Sequence, residues 1–520
     1  MRNTKRSLLL GVSRFTLIIT IMAAFGVAQL VSVNAAGSTG RQSTRQIVRA
    51  GTNSIKPTKT GADQLQRHEV TSLTRDGQNS GSGRGPSVNS AVLDASTPGL
   101  LKSFNGLNFR QQRLANGGNQ FSVEPPDQGL CVGNGFVLET VNDVLNVYST
   151  SGKSLLGVTD LNTFYGYPPA INRTTGVFGP SITDPSCYFD QPTQRWFHIA
   201  LTLDVFPSNG ALTGTNHLDI AVSQTSNPTG MWNFYHVPVQ DDGTQGTPNH
   251  HCAAGSPTPA PTNPNACLGD YPHLGADANG FYITTNEYCL FCAGLGFHAA
   301  QVYAFSKSAL ASGVTSIAVT QIDTIGSVGQ AGNPGFTVWP AATPDNHYAT
   351  AQGGTEYFLS SDAAPEANGN GASNDLITWA LTNTQSLNTS SPSLTFSNSV
   401  LTVNPYAVPP KANQKAGPFP LGQCLDKSSC ATLILGAADP FHEVEGPLDS
   451  NDTRMQQVVY ANGILSGALD TTLTVGGVNQ AGIEWFFVKP SVSANGVAGK
   501  VVNQGYLGMA NTNVLYPAIG

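Results

Sequence analysis

Residues 268–288 read LGDYPHLGADANGFYITTNEY. The stretch opens with a Tyr-Pro pair, turns at Asn279-Gly280 and continues into a β-branched and aromatic segment, Phe281 to Thr285. An Asn-Gly pair before an apolar run favours a β-hairpin, because both residues tolerate a positive φ angle. The stretch therefore predicts two strands joined at this turn.

The same pattern returns along the chain, which indicates an internal repeat. Its copies are PPDQGLCVGNGFVLET at 125–140, DPSCYFDQPTQRWFHIA at 184–200, WPAATPDNHYAT at 339–350 and YPAIG at 516–520. A second strand pattern follows most copies, as in LNVYSTSG at 145–152 and QVYAFSK at 301–307. One unit is thus two hairpins, or about four strands, repeated every ~40–60 residues, which is the period of propeller blades.

We therefore predict an all-β protein, a β-propeller of about six blades. The alternative is a β-sandwich, but the order of patterns within each unit is kept, which favours the propeller. The sixth unit begins at Ser491 and is incomplete at Gly520. It is either truncated, which we favour, or closed by a strand from 100–123, since a ring leaves fewest open edges when both termini contribute.

The first 99 residues divide into two predicted segments ahead of the propeller domain at 100–520. Residues 1–35 have a basic start, an apolar run at 15–33 and small residues at 34–36, as in a cleavable signal peptide. An uncleaved membrane anchor is the alternative. Residues 36–99 are basic, polar and glycine-rich, and predict a disordered linker. We expect a secreted or cell-surface protein with no membrane span after signal removal.

Charge is divided unevenly along the 520 residues, which carry 25 basic and 32 acidic side chains. The chain from Ala115 onward keeps 10 of the basic and 28 of the acidic residues. A body of that sign repels polyanions, so we expect no nucleic-acid partner.

The eight cysteines form an even set, which in an exported chain predicts disulfide bonds. Neighbourhood in sequence favours pairing of Cys252 with Cys267, Cys424 with Cys430 and Cys289 with Cys292, which leaves Cys131 with Cys187. A redox or zinc role for the Cys-Leu-Phe-Cys motif is the alternative, but it lacks a helix N-terminus or a second ligand pair.

Short motifs recur between residues 100 and 490. They include SFNGL at 103–107, VGN at 132–134, YFD at 188–190, DYP at 270–272, TTNE at 284–287, VYAF at 302–305 and LDS at 448–450. On these motifs the chain resembles a largely uncharacterised group of exported bacterial proteins with propeller-like repeats. The resemblance implies a fold more than an activity.

Sialidase propellers are a looser comparison, and their chemistry fits poorly. It needs an arginine cluster that binds a carboxylate, whereas only Arg173, Arg195 and Arg454 follow Arg113. We therefore expect no sialidase activity.

Acidic residues at the starts of the repeats are the main site candidates: Glu124, Asp127, Asp184 and Asp270. Equivalent positions of a propeller meet around its axis, so these carboxylates would converge at one mouth of the channel. Converging carboxylates raise one another's pKa for acid/base work or bind a hard cation such as Ca²⁺. The alternative is that they cap turns.

Tyr271, His273 and Glu287 flank the hairpin of the third unit and would line the same mouth. His250 and His251 are adjacent, and adjacent side chains of an extended chain point to opposite faces. We therefore interpret this pair as part of a solvated loop and not as a metal site.

No catalytic motif is assembled in the sequence, which favours a non-enzymatic propeller that binds a cell-surface protein or polysaccharide through its loops. The second hypothesis is a glycan-acting hydrolase or lyase that uses Asp127, Asp184, Asp270 and Glu287. A purely structural envelope protein is the third.

Overall fold

The computed structural model describes residues 41–59, 85–91, 102–121, 123, 127–252, 259–292, 296–327, 334–362, 371–412 and 449–519. Strands dominate these residues, and the prediction of an all-β propeller is confirmed. The three α-helices are short: α1 (Phe109–Leu114), α2 (Leu161–Tyr165) and α3 (Lys307–Ser312). Turns of 3₁₀-helix lie at Ala115–Gly118, Ala351–Gly353 and Thr384–Asn388.

Most strands form five four-stranded blades. Before the blades come β1 (Arg41–Ser54) and β2 (Ser87–Val88). Blade 1 contains β3 (Gln128–Gly133), β4 (Phe136–Val141), β5 (Val144–Ser149) and β6 (Thr159–Asp160). A small hairpin follows, with β7 (Ile171–Asn172) and β8 (Val177–Phe178). Blade 2 contains β9 (Ser181–Asp190), β10 (Arg195–Val205), β11 (Leu212–Ser223) and β12 (Met231–Pro238).

The remaining blades follow in chain order. Blade 3 contains β13 (Cys267–Ala276), β14 (Gly280–Cys289), β15 (Phe297–Ser306) and β16 (Ser316–Asp323). Blade 4 contains β17 (Phe336–Ala342), β18 (Thr355–Ser361), β19 (Ala372–Thr382) and β20 (Thr395–Ala407). Blade 5 contains β21 (Met455–Ala461), β22 (Ile464–Val475), β23 (Val478–Ser493) and β24 (Gly496–Leu507).

Each blade is an antiparallel meander, and the first strand of each blade lies innermost. Strand β3 lies beside β9, β9 beside β13, and β13 beside β17. Strand β17 pairs in parallel with β21 through Ala341↔Val458 and Ala342↔Val459. The inner strands therefore begin at the same end of the ring, and this end gathers the residues that open each blade.

Hydrophobic clusters fill the spaces between consecutive blades, as sheets with two apolar faces require. Phe197 of blade 2 stacks on Phe281 of blade 3 with ring centroids 4.4 Å apart. Trp196 and Trp232 belong to the cluster between blades 1 and 2, and Trp379 to that between blades 3 and 4. These tryptophans pack neighbouring blades together.

Three of the predicted disulfides are confirmed: Cys131–Cys187, Cys252–Cys267 and Cys289–Cys292. The first links β3 of blade 1 to β9 of blade 2, and the second closes the loop before β13. Cys424 and Cys430 lie outside the described residues, as does the predicted signal peptide at 1–35. None of the helices in the described ranges has the length and apolarity that a membrane crossing requires.

The C-terminal boundary of the repeats differs from the predicted one. Residues 491–507 belong to β23 and β24, which the Asn495-Gly496 turn joins, so they complete blade 5 and do not open a sixth unit. In the described part of the segment 100–123, residues 109–114 form helix α1 and not the closing strand that was the alternative prediction; the Asn108 side chain caps this helix in a capping box with Gln111.

The prediction of a disordered linker is wrong for Arg41–Ser54, which forms β1. Its first half pairs with β16 and its second half with β12, so one strand covers the outer edges of blades 2 and 3. The stretch is polar because most of its side chains are exposed, and Ile47 is its one fully buried residue. Backbone hydrogen bonds to open strand edges hold this segment in place. Pairing of this kind requires no hydrophobic pattern in the sequence.

Replacing Ile47 with aspartate is expected to lower the thermal unfolding midpoint by several degrees and to promote self-association, because a buried unpaired charge would detach β1 and uncover two strand edges. Val48→Asp is the matched control, since the neighbouring Val48 is 61% exposed. Calorimetry and light scattering measure both effects. Equal behaviour of the two variants would contradict this role of β1.

Candidate active site

Three of the predicted carboxylates come together where the inner strands begin. Asp127 directly precedes β3, Asp184 is the fourth residue of β9, and Asp270 is the fourth residue of β13. The Asp127 and Asp184 side chains share a hydrogen bond, and Asp270 lies close enough for its charge to act on both. All three remain partly accessible, so the ring mouth presents them to solvent.

Backbone irregularities direct these side chains. Asp184 and Tyr271 have φ angles of 52° and 54°, and each lies where the pairing register of its inner strand shifts. Thr337 in β17 repeats this geometry with a φ of 54°. Bulges with left-handed backbone at non-glycine residues are costly, and they cluster at functional sites where they re-aim a side chain. The Asn286 side chain stabilises the bulge at Thr337: it accepts a hydrogen bond from the Thr337 backbone N–H and donates one to the Thr337 hydroxyl.

The shared hydrogen bond makes the pKa of the Asp127 carboxyl group differ from that of Asp184. Burial, the charge of Asp184 and the hydrogen bond to Asp184 together raise the pKa of Asp127 well above its ordinary value. Burial and the charge of Asp270 raise the pKa of Asp184 to about 6, although hydrogen bonds from Asp127, the Thr183 hydroxyl and the Tyr271 amide oppose the shift. Asp127 is thus the proton donor of the pair and Asp184 the acceptor.

An arginine from blade 5 faces the carboxylates. Arg454 directly precedes β21, forms a two-pronged ion pair with Asp452 at 2.9 and 2.7 Å, and its charge lowers the pKa of Asp127 in part. Its guanidinium carbon lies 5.8 Å from the ring centroid of Tyr271 and 5.6 Å from that of Phe336. The site therefore combines three acids with one partly neutralised cation.

Aromatic side chains line the site beside the three aspartates. The ring centroids of His273 and Trp339 are 4.2 Å apart, and Tyr271 meets Trp339 edge-on at 6.3 Å. Burial and the nearby Arg454 charge lower the pKa of His273 to about 3, so this imidazole is neutral and does not serve as an acid or base near neutral pH. Such rings offer the apolar faces that line ligand pockets.

One predicted site residue has another position. Glu287 lies on β14, is fully buried, and contacts His250 and His298, so it does not share the mouth with the three aspartates. Glu124 lies outside the described residues. The expectation of Ca²⁺ at the mouth stays a prediction, and the Arg454 charge there competes with any cation.

Sequence reasoning missed two groups of residues. The first group lines or approaches the mouth and consists of Arg454, Trp339 and Tyr516. Each of these residues lies at the start of a repeat, like the aspartates, and that position in the sequence could have identified them. His250 was assigned to a solvated loop, which is wrong, because its side chain is only 6% exposed. Adjacent histidines do point apart, but only His251 reaches solvent.

No family model matches the chain, and no curated protein matches it. Among solved structures, a family-43 β-1,3-galactosidase with galactodeoxynojirimycin is 10% identical, with a TM-score of 0.30 over 76% of this chain and 97% of that chain. A thermostable family-43 glycoside hydrolase is 12% identical, with a TM-score of 0.29 over 76% and 96%. An endo-1,5-α-L-arabinanase from Thermotoga petrophila is 11% identical, with a TM-score of 0.25 over 72% and 95%.

All three of these proteins are glycoside hydrolases, and none is the non-catalytic binding protein that the sequence analysis favoured. At such identities and TM-scores the likeness gives no correspondence between individual residues.

Proposed function

We propose that this protein hydrolyses glycosidic bonds of a polysaccharide at the carboxylates of Asp127, Asp184 and Asp270. Glycoside hydrolysis needs one carboxylic acid that protonates the leaving oxygen and one carboxylate that acts on the opposite side of the sugar. The observation that carries the proposal is the hydrogen-bonded pair, in which Asp127 holds a proton beside two further carboxyl groups at an open mouth.

Each carboxyl group takes a distinct role in this proposal. Asp127 is the general acid, since its raised pKa keeps it protonated where an ordinary aspartate is ionised. Asp184 is a positioning residue that accepts the Asp127 proton in a hydrogen bond and supplies the charge that raises the Asp127 pKa. Asp270 is the carboxylate that acts as base or nucleophile from the neighbouring blade.

The surroundings support a sugar substrate. Tyr271 and Trp339 present ring faces beside the acids, and Arg454 and Asp452 offer polar groups that orient hydroxyls. The three disulfides are typical of extracellular proteins, where a polysaccharide substrate is within reach.

The proposal is tested by incubating the full chain with a panel of neutral and acidic polysaccharides and measuring released reducing ends. Wild-type turnover is expected on at least one glycan, and Asp270→Asn is expected to reduce it by about 10²-fold or more, because one of the two essential carboxyl functions is lost. Asp375→Asn is the control, since Asp375 lies partly exposed on β19, the third strand of blade 4, and not on an inner strand.

Two outcomes would contradict the proposal. One is the absence of turnover across the panel by a folded wild-type protein. The other is turnover that Asp270→Asn leaves at the level of Asp375→Asn. Products with a new carbon–carbon double bond, detected by ultraviolet absorbance, would assign a lyase reaction instead of hydrolysis.

A further inference from the structure

A second cluster of chemically active side chains lies between blades 2 and 3, apart from the ring mouth. Glu287 comes from β14, His298 from β15 and Asp323 from the end of β16. His250 comes from the loop after β12, which the Cys252–Cys267 disulfide ties to β13. We call these four residues the His250 cluster.

The donor atoms of the His250 cluster face one another at short range. His250 Nδ1 lies 2.8 Å from Glu287 Oε2, and His298 Nε2 lies 3.6 Å from the same oxygen. His298 Nε2 is also 3.2 Å from Asp323 Oδ2. The two imidazoles stack with centroids 4.7 Å apart and planes 13° from parallel, so both rings direct a nitrogen towards the shared carboxylates.

The cluster carries more negative charge than its neighbours neutralise. Asp241 lies behind Glu287, so three carboxyl groups face two histidines in a buried space. The nearest cation, Arg45 on β1, directs its guanidinium to Gln321 Oε1 and the Pro238 carbonyl.

Two carboxyl groups at this place each have an oxygen atom that accepts from no protein donor in the described part of the chain. The atoms are Glu287 Oε1 and Asp241 Oδ1; both residues are fully buried, and their carboxyl groups contact each other. A buried polar atom without a partner costs free energy unless a ligand satisfies it. Carboxyl oxygens that face one another in a buried space need a proton or a metal cation between them.

We propose that His250, Glu287 and His298 bind a divalent transition-metal ion of the zinc class, with Asp323 beside these three ligands. Tetrahedral zinc with ligand bonds of about 2.0–2.2 Å separates its donor atoms by roughly 3.3–3.6 Å. Glu287 Oε2 lies 2.8 Å from His250 Nδ1 and 3.6 Å from His298 Nε2, and the three donor atoms lie within 4.8 Å of one another, so small side-chain adjustments reach that geometry. Two imidazoles favour such an ion over Ca²⁺, which prefers six to eight oxygen ligands.

We assign the site a structural role, because Glu287 and His250 are buried between blade 3 and the loop that leaves blade 2, apart from the ring mouth. Its ligands come from two strands of blade 3 and from that loop. A bound ion would therefore fasten the blade 2 loop to blade 3 at the place where Arg45 anchors β1.

A third cluster provides an internal control. His217, Asp219 and His236 also bring two histidines to one carboxylate. There, however, Asp219 Oδ2 accepts from Thr202 at 2.5 Å, and Asp219 Oδ1 accepts from the Tyr167 hydroxyl at 3.0 Å and contacts His236. Both carboxylate oxygens have protein partners, so this group needs no ion.

The test uses the full chain, dialysed against a chelator and then supplied with Zn²⁺ or Co²⁺ alone. We expect about one equivalent of tightly bound metal by mass spectrometry, visible absorption bands of tetrahedral Co²⁺, and a thermal midpoint several degrees higher than without metal. His298→Asn is expected to lose the metal and the bands, whereas His236→Asn is expected to keep both.

Three results would overturn the site. The first is a wild-type midpoint that neither chelator nor Zn²⁺ changes. The second is metal binding that His298→Asn retains, and the third is metal binding that His236→Asn loses. If His298→Asn does not fold, the wild-type response to chelator and Zn²⁺ decides. Turnover of glycans is a separate readout, so failure of this site leaves the proposed hydrolysis untouched.

Discussion

Replacing Asp127 with asparagine is expected to lower kcat for a natural glycan by about 10²–10⁴-fold, because the leaving oxygen would lose its proton donor. The loss should be much smaller on an aryl glycoside whose leaving group departs as a stable anion and needs no proton. Comparison of the two substrates in steady-state kinetics therefore separates general-acid catalysis from a binding defect.

The pH profile gives an independent measure of the same role. Asp127 acts while protonated, so activity is expected to fall as pH rises through its raised pKa. The charge of Asp184 and the hydrogen bond to Asp184 are, after burial, the largest causes of that shift. In Asp184→Asn both causes are removed, so the alkaline limb of kcat/KM is expected to move to lower pH.

Asp375→Asn is again the control, and it is expected to keep the wild-type profile. Equal losses of kcat for Asp127→Asn on both substrates would contradict the assignment of Asp127 as acid. An alkaline limb that Asp184→Asn leaves unmoved would contradict the coupling between the two carboxyls.

The sequence predicted the propeller fold because every blade repeats a similar pattern of strands and turns. Each blade is one supersecondary unit, and the Asn-Gly turns recur at fixed places; Asn134 and Gly135, for example, take φ angles of 46° and 83°. Because the inner strands of a propeller begin at one end, the pattern also predicted that Asp127, Asp184 and Asp270 would approach one another. The order of the repeats was sufficient for this prediction about the three aspartates.

Side-chain direction within a strand was harder to predict. Glu287 pairs with Gly269 across the β13–β14 ladder, one residue from Asp270, and successive side chains of a strand point to opposite faces. Bulges at Asp184 and Tyr271 change this alternation locally, and each bulged residue precedes a proline, Pro185 or Pro272, which cannot donate to the strand ladder. Asp270 therefore lies at the mouth, whereas Glu287, from the neighbouring strand, lies in a separate cluster.

Long-range pairing by polar segments was also hidden from the sequence. Strand β1 takes its place from open edges of β12 and β16, which lie more than 170 residues away along the chain. His250 joins its cluster through a loop whose course depends on a disulfide and on Asp241. Such contacts form only between assembled blades, so the local amino-acid sequence does not predict them.

The opposite ends of the inner strands hold a buried cation. Lys307, at the start of α3, is 2% exposed and donates to Asp190 Oδ1 at 3.0 Å and to the Asp277 carbonyl. Its ammonium group also lies 4.9 Å from the ring centroid of Tyr348. Asp190 ends β9 and is fully buried, so Lys307 connects blade 3 to blade 2 by one charged contact.

Lys307→Met is expected to lower the free energy of unfolding by about 3–5 kcal/mol, because it leaves the Asp190 carboxylate buried without its counter-charge. Urea denaturation followed by tryptophan fluorescence measures the change. Lys500→Met, at an exposed position of β24, is the matched control and is expected to differ little from wild type. The double variant Lys307→Met with Asp190→Asn should regain part of the loss, since no unpaired charge remains. A Lys307→Met variant as stable as Lys500→Met would show that this ion pair does not fasten the two blades.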